Sequence, residues 1–187
     1  MDTLSIEPNQ PKSPGASSAE WGPDVSEDTR DALASRLEEQ AADPFLQRIA
    51  AQALALLDLA PGERVLELGC GTGVFLPALA AAVGPNGQVV GIDHNQGFLE
   101  EARQRVETAG ASTLVTLEAA DAERLPYPAA SFDAVHVERV LMHLEDPDAA
   151  LREVCRVLKP GGRFVAAEPD SAGVRTDHPD DPEAMAL

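Results

Sequence analysis

Residues Glu67–Gly73 read Glu-Leu-Gly-Cys-Gly-Thr-Gly and follow directly on the apolar pair Val65-Leu66. An apolar strand that runs into alternating glycines and then a helix builds a cofactor loop. Glycine lets the backbone come close to a ligand and adopt dihedrals closed to other residues. The helix that follows offers free N–H groups at its start. In a dinucleotide site such groups hold an anionic pyrophosphate. Glu67, at the tip of the strand, would repel a phosphate there and attract an ammonium group.

The glycine spacing agrees. The dinucleotide fingerprint G-x-G-x-x-G/A places Val74 or Leu76 at its last position, depending on which glycine opens the count, and neither fits. The P-loop pattern fails too, because no Lys-Ser or Lys-Thr follows the glycines. A cationic nucleoside without phosphates suits the loop better, and S-adenosylmethionine is the obvious candidate. From Asp43 to Asp170 the chain resembles the class I S-adenosylmethionine-dependent methyltransferases, in particular the type 11 small-molecule group. The likeness is strongest in Val65–Gly73, Val89–Asp93, Asp121–Asp133 and Leu151–Glu168.

The rest of the chain fits one domain with extensions. Up to about residue 25 it is rich in Pro, Ser, Gly and acids, which predicts a disordered tail, with Trp21 a candidate to pin its end to the domain. Residues 26–170 carry the domain, and residues 171–187 form a polar tail. Ser26 and Asp43-Pro44 each read as a helix start. Strands are then expected at Arg64–Leu68, Val89–Asp93, Leu114–Glu118, Phe132–Val137 and Arg163–Glu168. Helices are expected at Val74–Val83, Gln96–Ala109 and Pro147–Leu158. Lys159-Pro160-Gly161-Gly162 ends the last helix, with Lys159 favouring its C-terminus.

Strands separated by helices imply an α/β fold with a parallel sheet, and such sheets bind ligands beyond the carboxyl ends of their strands. Glu67, Asp93, Asp121 and Glu138 all fall at those ends. The resemblance implies a Rossmann-like sheet of order 3-2-1-4-5 flanked by helices, and further strands after the fifth, for which Pro169–Leu187 has no strand-like run. The fifth strand is then an apolar edge, a candidate surface for a homodimer.

The resemblance also implies roles for single residues. Glu67 orients the loop and meets the methionine ammonium. Gly69, Cys70, Gly71 and Gly73 lend backbone. Asp93, 20 residues beyond Gly73, takes the ribose hydroxyls. His94 flanks the adenine. Asp121 accepts from the adenine amino group, and the N–H of Ala122 reaches a ring nitrogen. Glu138 and Arg139 line the methionine end. His143 is a candidate base for deprotonating an acceptor. Methyl transfer from a sulfonium proceeds by in-line displacement and needs alignment more than a nucleophile or metal.

The charge balance of 14 basic against 32 acidic residues, net -18, argues against a nucleic-acid surface. The Cys count of 2, without a CxxC, points to reduced thiols in a cytoplasm. No apolar run nears the roughly 20 residues that cross a bilayer. The leading expectation is methyl transfer to the O, N or C of a small molecule. A non-catalytic or regulatory S-adenosylmethionine-binding module is the alternative, and an NAD(P)-linked oxidoreductase ranks below both.

Overall fold

The computed structural model describes residues 21–22 and 25–169. Apart from Trp21, Gly22 and Val25, the two expected tails lie outside the described residues. In chain order the elements are α1 (Glu27–Ala42), α2 (Pro44–Leu57), β1 (Arg64–Leu68), α3 (Leu76–Val83), β2 (Gln88–Asp93), α4 (Gln96–Thr108), β3 (Val115–Ala119), β4 (Phe132–Glu138), a 3-10 turn (Leu141–His143), α5 (Pro147–Val157) and β5 (Leu158–Ala167).

Short polar side chains start the helices. The Asp43 carboxylate accepts from the N–H groups of Phe45 at 2.7 Å and Leu46 at 3.1 Å, with Pro44 in the first turn. Asn95 caps α4 and Asp146 caps α5 in the same way. These acceptors satisfy N–H groups that have no partner inside the helix. α2 stops where Asp58 turns left-handed, at φ 44°.

The strands form one five-stranded parallel sheet of order β3-β2-β1-β4-β5. Side chains alternate between its faces. Val65, Val89 and Ala134 pack with Leu76, Leu79 and Leu99 of α3 and α4. Leu66, Val90 and Val135 pack with Val154 and Val157 of α5. A parallel sheet needs apolar cover on both faces, so its central strands read as near-continuous apolar runs.

Two boundaries differ from expectation in an informative way. α3 begins at Leu76 rather than Val74, because the Gly73 N–H closes a turn onto the Cys70 carbonyl at 2.8 Å. β5 begins at Leu158, and α5 ends at Val157. Phe132 pairs with Leu158 but Ala134 with Arg163, so Lys159–Gly162 bulge out of the ladder. Lys159 does not serve the helix terminus. Its Nζ lies 2.8 Å from both oxygens of Asp133. Asp133 also accepts the N–H of Arg64 at 2.9 Å, tying the start of β1 to this bulge.

Partial burial opposes ionisation of Asp133, but the Lys159 ammonium and the Arg64 N–H hold its carboxyl below the ordinary range. A depressed acid stabilises the fold above its unfolded value, about pH 4, and that contribution is lost as pH falls through the folded value. Asp133→Ala is expected to cost about 1–3 kcal/mol in urea unfolding at neutral pH, with the difference from the parent shrinking in acid.

Candidate functional site

A cavity of about 380 Å³ opens beyond the carboxyl ends of β1, β2 and β4. Of the residues expected at a ligand site, Gly69, Gly71, Asp93, His94, Ala122, Glu138 and His143 line it. Glu67, Cys70, Gly73 and Asp121 stand outside its lining. α1 supplies Arg36, Leu37 and Gln40, which sequence reasoning did not single out.

The loop owes its shape to Asp93. One Asp93 oxygen accepts the Gly71 N–H at 2.9 Å, and the other accepts the Asn95 N–H at 2.9 Å. The Cys70 N–H donates to the Ile92 carbonyl at 2.8 Å, continuing the β1–β2 ladder into the loop. Gly69, Gly71 and Gly73 sit at φ 68°, 51° and 78°. A Cβ on Gly73 would lie 2.9 Å from the Ala102 Cβ, and one on Gly69 would lie 2.5 Å from Val140. Those two glycines therefore serve close packing of the loop on α4 and on the segment after β4. Thr72 donates to Glu38 at 3.1 Å, and the Arg105 side chain bonds both Glu38 and the Thr72 carbonyl, which fastens the loop between α1 and α4. Burial pushes the Cys70 thiol well up, with the charges of Asp93 and Glu67 adding, so it stays protonated.

Three acids end neighbouring strands, and each is compensated differently. Glu67 is 3% exposed, and its Oε2 lies 2.7 Å from Nδ1 of His136, its register partner on β4. Burial works against a charge on His136, but the carboxylates of Glu67 and Glu138 lift its pKa above the ordinary value. Asp93 has its two backbone donors, which oppose the rise that burial imposes on its carboxyl. Glu138 pairs through Oε1 with Arg139 at 3.0 Å, and burial raises its pKa. Its Oε2 is buried and meets no hydrogen-bond partner among the described residues.

The segment after β4 is tightly held. Arg139 takes φ 55°, its N–H donates to the Ala167 carbonyl at 2.9 Å, and its side chain reaches Gln40 at 2.7 Å. Glu168 Oε1 accepts the N–H groups of Val140 at 2.9 Å and Leu141 at 3.0 Å. Trp21 lines the cavity, its ring centroid 4.8 Å from that of His143 and 6.2 Å from that of Phe98. Its carbonyl meets Nε2 of the exposed His94. Asp121 folds back on its own turn, accepting the Glu123 N–H at 2.8 Å.

A cationic group fits these residues. Two acidic residues, Glu138 and Asp93, line the cavity, together with Arg36 for an opposite charge on the same ligand.

Known proteins bear on this geometry. Residues 59–185 match the family described as "Methyltransferase domain". A 37.1 kDa protein of transposon TN4556 from Streptomyces fradiae is 47% identical over 127 residues, 68% of this chain and 36% of that one. The 27-O-demethylrifamycin SV methyltransferase of Amycolatopsis mediterranei is 35% identical over 161 residues, 84% of this chain and 57% of that one. Among solved structures, the [4+2]-cyclase SpnF superposes with a TM-score of 0.60 at 36% identity, covering 66% of this chain and 44% of that one. The chain thus spans between 36% and 57% of the length of these relatives. With its sheet order, its glycine loop and this match across most of its length, the chain belongs to the class I S-adenosylmethionine-dependent methyltransferase family.

Proposed function

We propose that this protein binds S-adenosylmethionine in the cavity at the strand ends and transfers its methyl group to a small-molecule acceptor. The observation that carries this reading is a cavity at the strand ends lined together by Gly71, Asp93 and Glu138. An amino-acid nucleoside presents an ammonium to Glu138, a carboxylate to Arg36 and a ribose to the lone pairs Asp93 has left. A pyrophosphate would meet two carboxylates instead, which argues against NAD(P).

When bound, the cofactor supplies a methyl group on a cationic sulfur. The chain then has to align the acceptor and take its proton. A second cavity of about 240 Å³, lined largely by Ala50, Leu54, Phe75 and other apolar side chains between α2 and α3, shares Gln40, Leu46, Glu138 and Arg139 with the first. It is the candidate acceptor pocket, suited to an apolar molecule. His143, half-buried on the first cavity's wall, is the candidate base.

A second reading has a specific basis. SpnF, a [4+2]-cyclase, shares this fold, so a cyclisation is the second chemistry such a cavity can serve. We also propose a homodimer through β5 and a cytoplasmic location. β5 is an edge strand with Phe164 exposed. Among the described residues no helix is long and apolar enough to cross a membrane.

Calorimetry with S-adenosylmethionine is expected to give saturable binding, and with NAD none. Asp93→Ala should weaken the nucleoside by roughly 1–3 kcal/mol. Gly71→Val, which puts a branched side chain at φ 51° and its Cβ 3.2 Å from Leu37, should abolish binding with the far-UV circular dichroism kept. Tight NAD binding would overturn the reading. Ala50→Phe, which fills the second cavity, should cut methyl turnover of an apolar acceptor while leaving the cofactor Kd unchanged; equal loss of both would remove that cavity from the acceptor path. If His143 is the base, His143→Ala lowers kcat about 100-fold or more, with cofactor affinity retained.

A further inference from the structure

The 3-10 turn Leu141–His143 starts differently from the helices. Asn95 and Asp146 cap α4 and α5 from the position just ahead of each. Val140 holds that position before the turn, and its side chain makes no capping bond. The opening N–H groups go instead to Glu168, one residue beyond β5. Its Oε1 accepts from Val140 at 2.9 Å and from Leu141 at 3.0 Å, across sequence separations of 28 and 27. One position earlier the Arg139 N–H donates to the Ala167 carbonyl at 2.9 Å. Three successive N–H groups are thus taken up by two successive residues at the end of β5, with Arg139 bent left-handed at φ 55°. Successive N–H groups in a bent backbone make a concavity for an anion, and here the chain fills it with its own carboxylate. Bonds to a carboxylate are stronger than those to a neutral acceptor.

The turn has little else to hold it. Its own bonds run from the His143 N–H to the Val140 carbonyl at 2.9 Å and from the Leu144 N–H to the Leu141 carbonyl at 3.3 Å. So short a 3-10 segment gains few bonds for the dihedrals it fixes. Yet Arg139, Val140, Met142, His143 and Leu144 all line the first cavity. Val140 also presses on the glycine loop, where a Cβ on Gly69 would lie 2.5 Å from its side chain. A shift of the turn is therefore passed to the loop.

We propose that Glu168 is a positioning residue for the ligand site: through the N–H groups of Val140 and Leu141 it fixes the wall from Arg139 to Leu144 against the glycine loop. The inference deepens the cofactor reading and rests on it only for what the cavity holds. Glu168 itself is not part of the cavity lining, so it acts through the backbone of residues that are. Its Oε2 is buried without a hydrogen-bond partner among the described residues. Solvation is given up there, and the two bonds at Oε1 are what offset it.

Two variants separate the acceptor from the bulk of the side chain. Glu168→Gln keeps an oxygen for both N–H groups, and Glu168→Ala removes it. Trp21 gives the position of the turn a spectroscopic signature. It packs apart from the turn, on Leu33, Ala34 and Phe98, and its ring centroid lies 4.8 Å from that of His143. At that distance the ring current of the indole shifts the NMR signals of the imidazole protons. In Glu168→Ala those signals are expected to move to the position of a histidine with no aromatic neighbour. The Kd for S-adenosylmethionine, measured by calorimetry, is expected to rise about tenfold or more. Glu168→Gln is expected to restore the ring shift and to bring the Kd within about threefold of the parent. A role confined to holding the fold together would lower the unfolding midpoint and move neither readout in the folded protein. Amide hydrogen exchange in the parent decides the matter even where Glu168→Ala fails to fold: Val140 and Leu141 are expected to exchange as slowly as the β4–β5 ladder. Unprotected amides there, unmoved His143 signals or an unchanged Kd in Glu168→Ala, or a Glu168→Gln variant as impaired as Glu168→Ala, overturns this inference alone. A parent protein that binds no S-adenosylmethionine overturns the cofactor reading, and the ring shift and amide exchange still decide the role of Glu168.

Discussion

Negative charge buried at the carboxyl edge of the sheet is the constraint around which the site is arranged. Glu67, Asp93 and Glu138 end three neighbouring parallel strands. A carboxylate taken out of water must find a counter-charge or donors. Glu67 has a histidine, Asp93 has two backbone N–H groups, and Glu138 has an arginine on one oxygen only. Asp93 and the incompletely compensated Glu138 both line the cavity. On the proposed reading Glu138 meets the ligand cation, while Asp93 fixes the backbone of the loop and Glu67 is tied to His136 across the β1–β4 seam.

Asp93 links charge to loop shape. By accepting from Gly71 it pulls the glycine turn against the end of β2, and by accepting from Asn95 it sets the entry into α4. The ribose role expected for it and this scaffolding role use different lone pairs of the same oxygens, since each carboxylate oxygen accepts more than one hydrogen bond. The glycines divide similarly. Gly71 faces the cavity, Gly73 is buried against Ala102 of α4, and Gly69 does both, lining the cavity while pressing on Val140. One alternating pattern thus meets a ligand requirement and a packing requirement at once.

Nearly every element was legible in the sequence, because apolar runs of strand length alternate with capped helices and because parallel strands must be covered on both faces, while the sheet order came from the family resemblance. The ends were less legible. The bulge at Lys159–Gly162 depends on Asp133, an acid at the far end of β4 that periodicity does not connect to it. Glu67 shows the same limit. Its place at a strand tip was readable, but its direction was decided by His136, 69 positions away and opposite it only after the strands pair. A signal did exist: a histidine inside the apolar run Ala134–Val137 asks for a buried partner, and strand parity puts Glu67 on the same face. The contribution of α1 through Arg36 and Gln40 left no such mark, since exposed polar residues on a surface helix look alike until tertiary packing chooses among them.

The relatives place a further condition on what this arrangement can do. A methyltransferase is 35% identical to this chain, and a [4+2]-cyclase superposes on it with a TM-score of 0.60. On the proposed reading Asp93 and Glu138 hold the nucleoside, and Glu138 also lines the second cavity beside the residues that would meet an acceptor. Those residues come from α1, α2 and the segment after β4, where Arg139 is held left-handed by Gln40, Glu138 and the end of β5. A non-glycine residue kept at positive φ costs of order 1–3 kcal/mol and persists only when its surroundings over-determine it. Here three contacts do so, and they place Arg139 on the wall shared by the two cavities. On the proposed reading the two cavities meet at Gln40, Leu46, Glu138 and the strained Arg139, so cofactor choice and acceptor choice are coupled through these shared residues.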